Sequence, residues 1–237
     1  MTRAALLALV TVLLSGCGGS GLRADLSAAG NSVGKIRSGD LDFSMLVTPH
    51  AARAKHPFGW KLRGPFSFGD VPTARIVYTQ IANGHTASST LVLDTSGAYA
   101  VNGGAHRSLS SANVQELRTA AARVRQGASI DVSKWLKSTS SCGKGCAEGN
   151  LDVAAAANTL LEISGSHGTL NAANAKRLAD AARSATYRIE WTPKQLLRDL
   201  KLHVDLGFDA PPKLRAALGK LVGATFDLHL GVQHPQT

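Results

Sequence analysis

Two cysteines, Cys142 and Cys146, flank a small turn in the run Ser140-Ser141-Cys142-Gly143-Lys144-Gly145-Cys146. Thiols so placed suit three chemistries. A tetrahedral zinc site needs about four ligands, and no second Cys or His pair at ligand spacing lies nearby. A redox dithiol is usually spaced C-x-x-C, which this pair is not. A disulfide needs nothing else, and it is the expectation for an exported chain. Closing so short a loop adds little to global stability and mainly pins the turn. Histidine offers a second possibility. His203 and His229 alternate with Asp205 and Asp227 along two segments. If those segments pair as strands, the four side chains meet, either as a solvated polar face or as part of a catalytic constellation. The usual hydrolytic and phosphate-binding motifs (G-x-S-x-G, H-E-x-x-H, the Walker loop) are absent. The reading is therefore of a protein without catalysis, metal or cofactor.

The third cysteine has a different setting. Arg3 is followed by an apolar run, Ala4 to Leu14, and then by Leu14-Ser15-Gly16-Cys17. A positive start, a short apolar segment and small residues make a signal peptide, and the run is too short to span a bilayer, which takes about 20 apolar residues. The four residues ending at Cys17 resemble a bacterial lipobox. That pattern implies cleavage before Cys17 and diacylglycerol on its sulfur. The alternative is an ordinary secretory signal with an incidental cysteine. The Gly/Ser stretch Gly18 to Gly21 reads as a flexible tether. The expected division is residues 1–16 as signal peptide, 17–30 as lipidated N-terminus and tether, and 31–237 as a single domain, held on the outer face of the cell membrane. The formal net charge of +10 favours anionic partners, and lipid headgroups are the nearest ones. A nucleic-acid partner is not expected, because no basic strand is rich in the aromatic residues that stack on bases.

The elements that must position these residues are mostly strands. Leu41 to Val47, Trp60 to Arg63, Ala74 to Ile81, Thr90 to Leu93 and Ala98 to Val101 alternate apolar and polar residues with period two. Asn83-Gly84 is a hairpin signal. The first half reads as an antiparallel meander of about six strands. Helices follow: one capped by Asn113 with Glu116 returning the bond, a short turn holding Trp135, one opened by Asp152, and an Ala-rich helix over Asn171–Arg183. Strands resume at Tyr187–Trp191, Leu200–Phe208 and Ala224–Val232, with a short helix opened by Pro211-Pro212 before the last. The plan is α+β, one antiparallel sheet with helices on one face.

The phrases Ser38-Gly39-Asp40, Gly64-Pro65-Phe66, Ala98-Tyr99-Ala100-Val101-Asn102-Gly103, the Trp135 segment, Leu151-Asp152-Val153, and Leu196 to Phe208 running through Pro211-Pro212 into the last strand resemble actinobacterial envelope lipoproteins of the LppX/LprG type, which are similar in fold to the LolA and LolB carriers. The resemblance implies a curved antiparallel half-barrel whose concave face is covered by helices, with an apolar cavity between them for acyl chains. Strand alternation then nominates the lining: Phe43, Met45, Trp60, Leu62, Ile76, Tyr78, Leu91, Leu93, Val204, Leu206, Phe226 and Leu228. The alanines Ala154 to Ala157, with those between Ala172 and Ala182, leave space beneath the helices. The expected partner is a lipid or other amphiphile, reached from the membrane through the anchor. The alternative is a tethered interaction or structural module with the same fold and a filled core. Lys61, Arg63 and Arg75 on the outward strand faces are candidate headgroup contacts.

Overall fold

A computed structural model describes residues 19–50, 56–125, 132–163, 170–207 and 223–237. Within them, eleven strands form one antiparallel sheet: β1 (Ser38–Pro49), β2 (Phe58–Ser67), β3 (Thr73–Ala82), β4 (His85–Leu93), β5 (Ala98–Asn102), β6 (Ala105–Ser108), β7 (Ser140–Gly143), β8 (Cys146–Asn150), β9 (Ala182–Trp191), β10 (Leu197–Leu206) and β11 (Ala224–Gln236). Their order across the sheet is β6-β5-β4-β3-β2-β1-β11-β10-β9-β8-β7. Two meanders thus join at the centre, where the first strand pairs with the last. The helices are α1 (Gly19–Asn31), α2 (Ser111–Arg125), α3 (Val153–Ile163) and α4 (Ala172–Ala181), with 3-10 turns at Val33–Lys35 and Val132–Trp135. This is the expected class, α+β with an open, curved antiparallel sheet.

Residues paired across antiparallel strands face the same side, so the register identifies the inner face. From Leu200 to Leu206, β10 buries its even residues and turns Lys201, His203 and Asp205 outward. Leu202 pairs with Leu228 and Val204 with Phe226. Met45 pairs with Leu228 and Phe43 with Leu230, Trp60 with Met45 and Leu62 with Phe43, and Tyr78 with Leu62. One apolar face therefore runs from β10 to β3. Between Arg63 and Phe66, Gly64 (φ +140°) lets β2 press against β3, because a Cβ there would collide with the Arg75 carbonyl oxygen.

The core lies under one half of that face. Leu26 and Ala29 of α1, Trp135, Val153 and Ala156 of α3, and Leu178 and Ala181 of α4 pack on Tyr187, Ile189, Leu197, Leu200 and Leu202. Asp152 caps α3 by accepting from the Ala154 and Ala155 amides, and Asn171 caps α4 through the Asn174 amide.

Several boundaries differ from the sequence expectation. The stretch read as a tether is helical from Gly19 onward, and Leu26 and Ala29 are completely buried. Its Gly/Ser composition describes only its first residues. Leu22, Leu26 and Ala29 recur at helical spacing, and burying that stripe outweighs the weak helix propensity of Gly19 and Gly21. The folded body therefore begins before residue 31. α2 starts at Ser111, and the Ser110 hydroxyl rather than Asn113 accepts from the first turn, at the Asn113 amide. The Ala-rich helix ends at Ala181, and residues from Ala182 join β9. β11 continues to Gln236, four residues beyond the expected Val232. The helix expected after Pro211-Pro212 and the cysteine at Cys17 lie outside the described residues.

Candidate functional site

The inner face leaves an apolar hollow of about 250 Å³ between α3, α4 and the central strands. Its floor is Leu202, Val204 and Leu206 of β10, Phe226 and Leu228 of β11, and Met45 of β1. Its roof is Leu151, Val153, Ala156, Ala157 and Leu178. Asp227 is the one polar residue among the lining. The roof is low in volume where α3 presents alanine, so the helix cannot fill the curve of the sheet beneath it. Larger hollows of about 390 and 460 Å³ lie around Arg118 and on the outer face over Arg188 and Lys201. Charged and hydroxyl side chains contribute to their walls, so they offer an apolar ligand much less burial.

Met45 belongs to both the hollow and the uncovered part of the face. It is 36% exposed and pairs with Trp60, whose ring stacks on Phe43 at 4.8 Å between centroids. Phe43, Trp60, Leu62, Ile76, Tyr78 and Leu91 are all only half-buried. Phe58, on the same face, is 37% exposed. From β11 to β3 this apolar strip is about 14 Å wide, at about 4.8 Å per strand. Of the residues nominated from alternation, Met45, Val204, Leu206, Phe226 and Leu228 line the hollow. Phe43, Trp60, Leu62, Ile76, Tyr78 and Leu91 extend the face beyond it, and Leu93 is buried. Leu151, Val153, Leu178 and Leu202 were not nominated. Alternation shows which way a strand residue faces, but not where along the strand a helix covers it.

The outer face carries the histidines. His203 pairs with Asp227 at 2.7 Å, and His229 with Asp199 at 2.6 Å. His50 meets the Thr225 hydroxyl at 2.8 Å and lies 3.5 Å from Asp205. Lys201 flanks Asp199 at 3.2 Å, and Arg63 binds Asp42 at 3.0 Å. These pairs cross-link β1 to β2 and β10 to β11, and His50, just past β1, reaches both β10 and β11; carboxylates and one threonine hydroxyl are the partners of the three rings. Lys61, Arg63 and Arg75 also face outward. Hydrogen bonds from Arg198 and Arg188 hold the Glu190 carboxyl below its ordinary range. Burial pushes the Tyr187 phenol up. Its oxygen lies 3.1 Å from the Ser138 carbonyl and 2.7 Å from the Thr139 hydroxyl, so it donates to the first and accepts from the second.

Cys142 and Cys146 are bonded across the β7–β8 turn, with 5.2 Å between their Cα atoms. No group of three or more His, Cys, Asp or Glu side chains placed to hold a metal occurs among the described residues. No helix among the described residues is long and apolar enough to cross a membrane.

No protein-family model matches the chain, and no curated protein matches it. Two solved structures are similar in layout. LprF from Mycobacterium bovis is 14% identical with a TM-score of 0.40, over 94% of this chain and 97% of that one. The lipoprotein LppX from Mycobacterium tuberculosis is 14% identical with a TM-score of 0.39, over 93% and 99%. Both belong to the group that the sequence phrases resemble. At this identity and score the likeness concerns the arrangement of elements, and ligand and chemistry must come from this chain's own residues.

Proposed function

We propose that the protein is a lipid-anchored envelope protein that binds a lipid or similar amphiphile in the hollow beneath α3 and α4, acting as a carrier or presenter without catalysis. The observation that carries this reading is the apolar hollow of about 250 Å³, with its walls of Leu, Val, Phe, Met and Ala. It is smaller than the range of about 300–1,000 Å³ usual for drug-sized ligands, so it holds part of an acyl chain. The rest lies along the Phe43–Trp60–Tyr78 strip. The anchor is Cys17, acylated after removal of residues 1–16.

The mechanism is physical. An acyl chain leaving a bilayer for water loses about 0.8 kcal/mol for each CH₂ exposed. Apolar walls replace the lost bilayer contacts, so net transfer stays near balance and loading is reversible. The ends of the sheet are short strands, β6 and β7, and the ligand enters over Met45, where the face is open.

The test is mass spectrometry of the Cys17→Ala protein without its signal peptide, purified from a bacterium with a comparable envelope. Native mass minus denatured mass gives any retained ligand. A stoichiometric lipid supports the reading. An empty protein that also takes up no fluorescent fatty acid or phospholipid would leave an interaction module with this fold.

A further inference from the structure

We infer that the inner face holds its ligand crosswise to the strands, with the tail of one acyl chain in the hollow and an uncharged, hydroxyl-bearing head on Tyr78, Gln80 and Ser89. The inference rests on the carrier reading above and names the class of amphiphile, a neutral acyl lipid of the monoacylglycerol kind. The strand register carries it. One row of inward-facing residues crosses six strands: Leu202, Leu228, Met45, Trp60, Gln80 and Ala87. The next row is Leu200, Leu230, Phe43, Leu62, Tyr78 and Ser89. Both rows begin apolar at β10, and both gain polar side chains at β3 and β4.

Leu202, Leu228 and Met45 line the hollow. From Leu202 on β10 to Gln80 on β3 there are four strand spacings, about 19 Å. With C–C bonds of about 1.5 Å, an extended chain advances about 1.3 Å per carbon, so about fifteen carbons cover that distance. The head then lies where Gln80 is exposed and Tyr78 and Ser89 are half-buried. None of these three side chains makes a hydrogen bond among the described residues. Their amide, phenol and hydroxyl can both donate and accept, which suits a glycerol hydroxyl or an ester. A carboxylate finds no counter-ion there. Lys61 and Arg63 of β2 and Arg75 of β3 face the other side of the sheet. Arg107 faces inward, but on β6, two strands beyond Ser89. His85, one row past Ala87, adds an imidazole. Setting a charge against Trp60 and Tyr78 without a partner is costly.

The experiment uses the delipidated mature chain with Cys17→Ala, at about pH 8, where imidazoles are ordinarily neutral. Monopalmitoylglycerol and palmitate, which share one acyl chain, each compete with a fluorescent fatty acid. The glyceride should bind about ten-fold more tightly than palmitate. Gln80→Ala should cost the glyceride about five-fold, one hydrogen bond's worth, and leave palmitate unchanged. Gln80→Lys supplies the missing cation and should reverse the preference. Gln80 is exposed, so neither variant disturbs packing, and circular dichroism confirms the fold. Ala156→Leu, in the hollow, should weaken both ligands alike. Palmitate binding as tightly as the glyceride overturns the inference. So does a glyceride preference that survives Gln80→Lys, or a Gln80→Ala protein that loses nothing. Ala156→Leu acting on neither ligand places the tail elsewhere and overturns it too. A parent chain that binds neither ligand refutes the carrier reading itself, and the inference with it.

Discussion

Replacing Ala156 by leucine gives effects of opposite sign depending on what lies beneath α3. Ala156 is 4% exposed and lines the hollow. In a filled core, three added carbons force strain that costs about 1–3 kcal/mol. In an apolar hollow of about 250 Å³, they have room and bury themselves at about 0.8 kcal/mol each, an upper bound of about 2.4 kcal/mol. Leucine also suits a helix interior nearly as well as alanine. For a chain of this size, about 1 kcal/mol moves Tm by about 2–4 °C. The ligand-free Ala156→Leu protein should therefore melt several degrees higher than its parent. It should bind a fatty acid more weakly, because its side chain displaces about three CH₂ groups of ligand, or about fifty-fold in affinity. Differential scanning calorimetry of delipidated protein and a fluorescent fatty-acid titration measure the two effects. A lowered Tm with unchanged binding would show that nothing enters beneath α3 and would refute the cavity.

Trp60→Ala should weaken acyl-chain binding several-fold in the same titration while moving Tm little, since the ring is half-buried and stacks chiefly on Phe43. Ser32→Ala should destabilise by about 1–3 kcal/mol in urea denaturation, because the Leu197 amide loses its buried acceptor. Glu190 is held below its ordinary pKa by Arg198. Its pairing therefore stabilises the fold above about pH 4.5 and is lost as pH falls through the lower folded value. Glu190→Gln should flatten that part of the acid limb of a Tm-against-pH curve, whereas an unchanged limb would mean the pair is neutral.

The strands were legible because the sheet is apolar on one face, and period two is then visible in runs such as Leu200 to Leu206. The central pairing of β1 with β11 was not, since alternation carries no information about which strands meet. α1 was hidden by composition: Gly19, Ser20 and Gly21 draw the eye, while Leu22, Leu26 and Ala29 carry the energy. The disulfide and the Trp135 turn were readable from local chemistry. β7 and β8 were not, because Ser140–Gly143 and Cys146–Asn150 have no apolar period and depend on β9 for pairing. The candidate site was half legible. Facing follows from one strand, whereas the hollow depends on where α3 and α4 stop covering the sheet, a property of three elements together.

The two wings of the open sheet are joined through the chain's first and last strands: Ser38 lies opposite Gln236, and Pro49 opposite Ala224. Sequence neighbours build each wing, but the seam between the wings joins partners nearly the whole chain apart, the slowest kind of contact to form. During synthesis the chain emerges from its N-terminus, so β1 must wait, one edge bare, until the final strand arrives. The hollow beneath α3 and α4 straddles that seam, since Met45 is on one side and Leu228 on the other. No pocket exists until the last dozen residues are home. Shortening this protein from its C-terminus would not trim a margin; it would split the molecule down the middle.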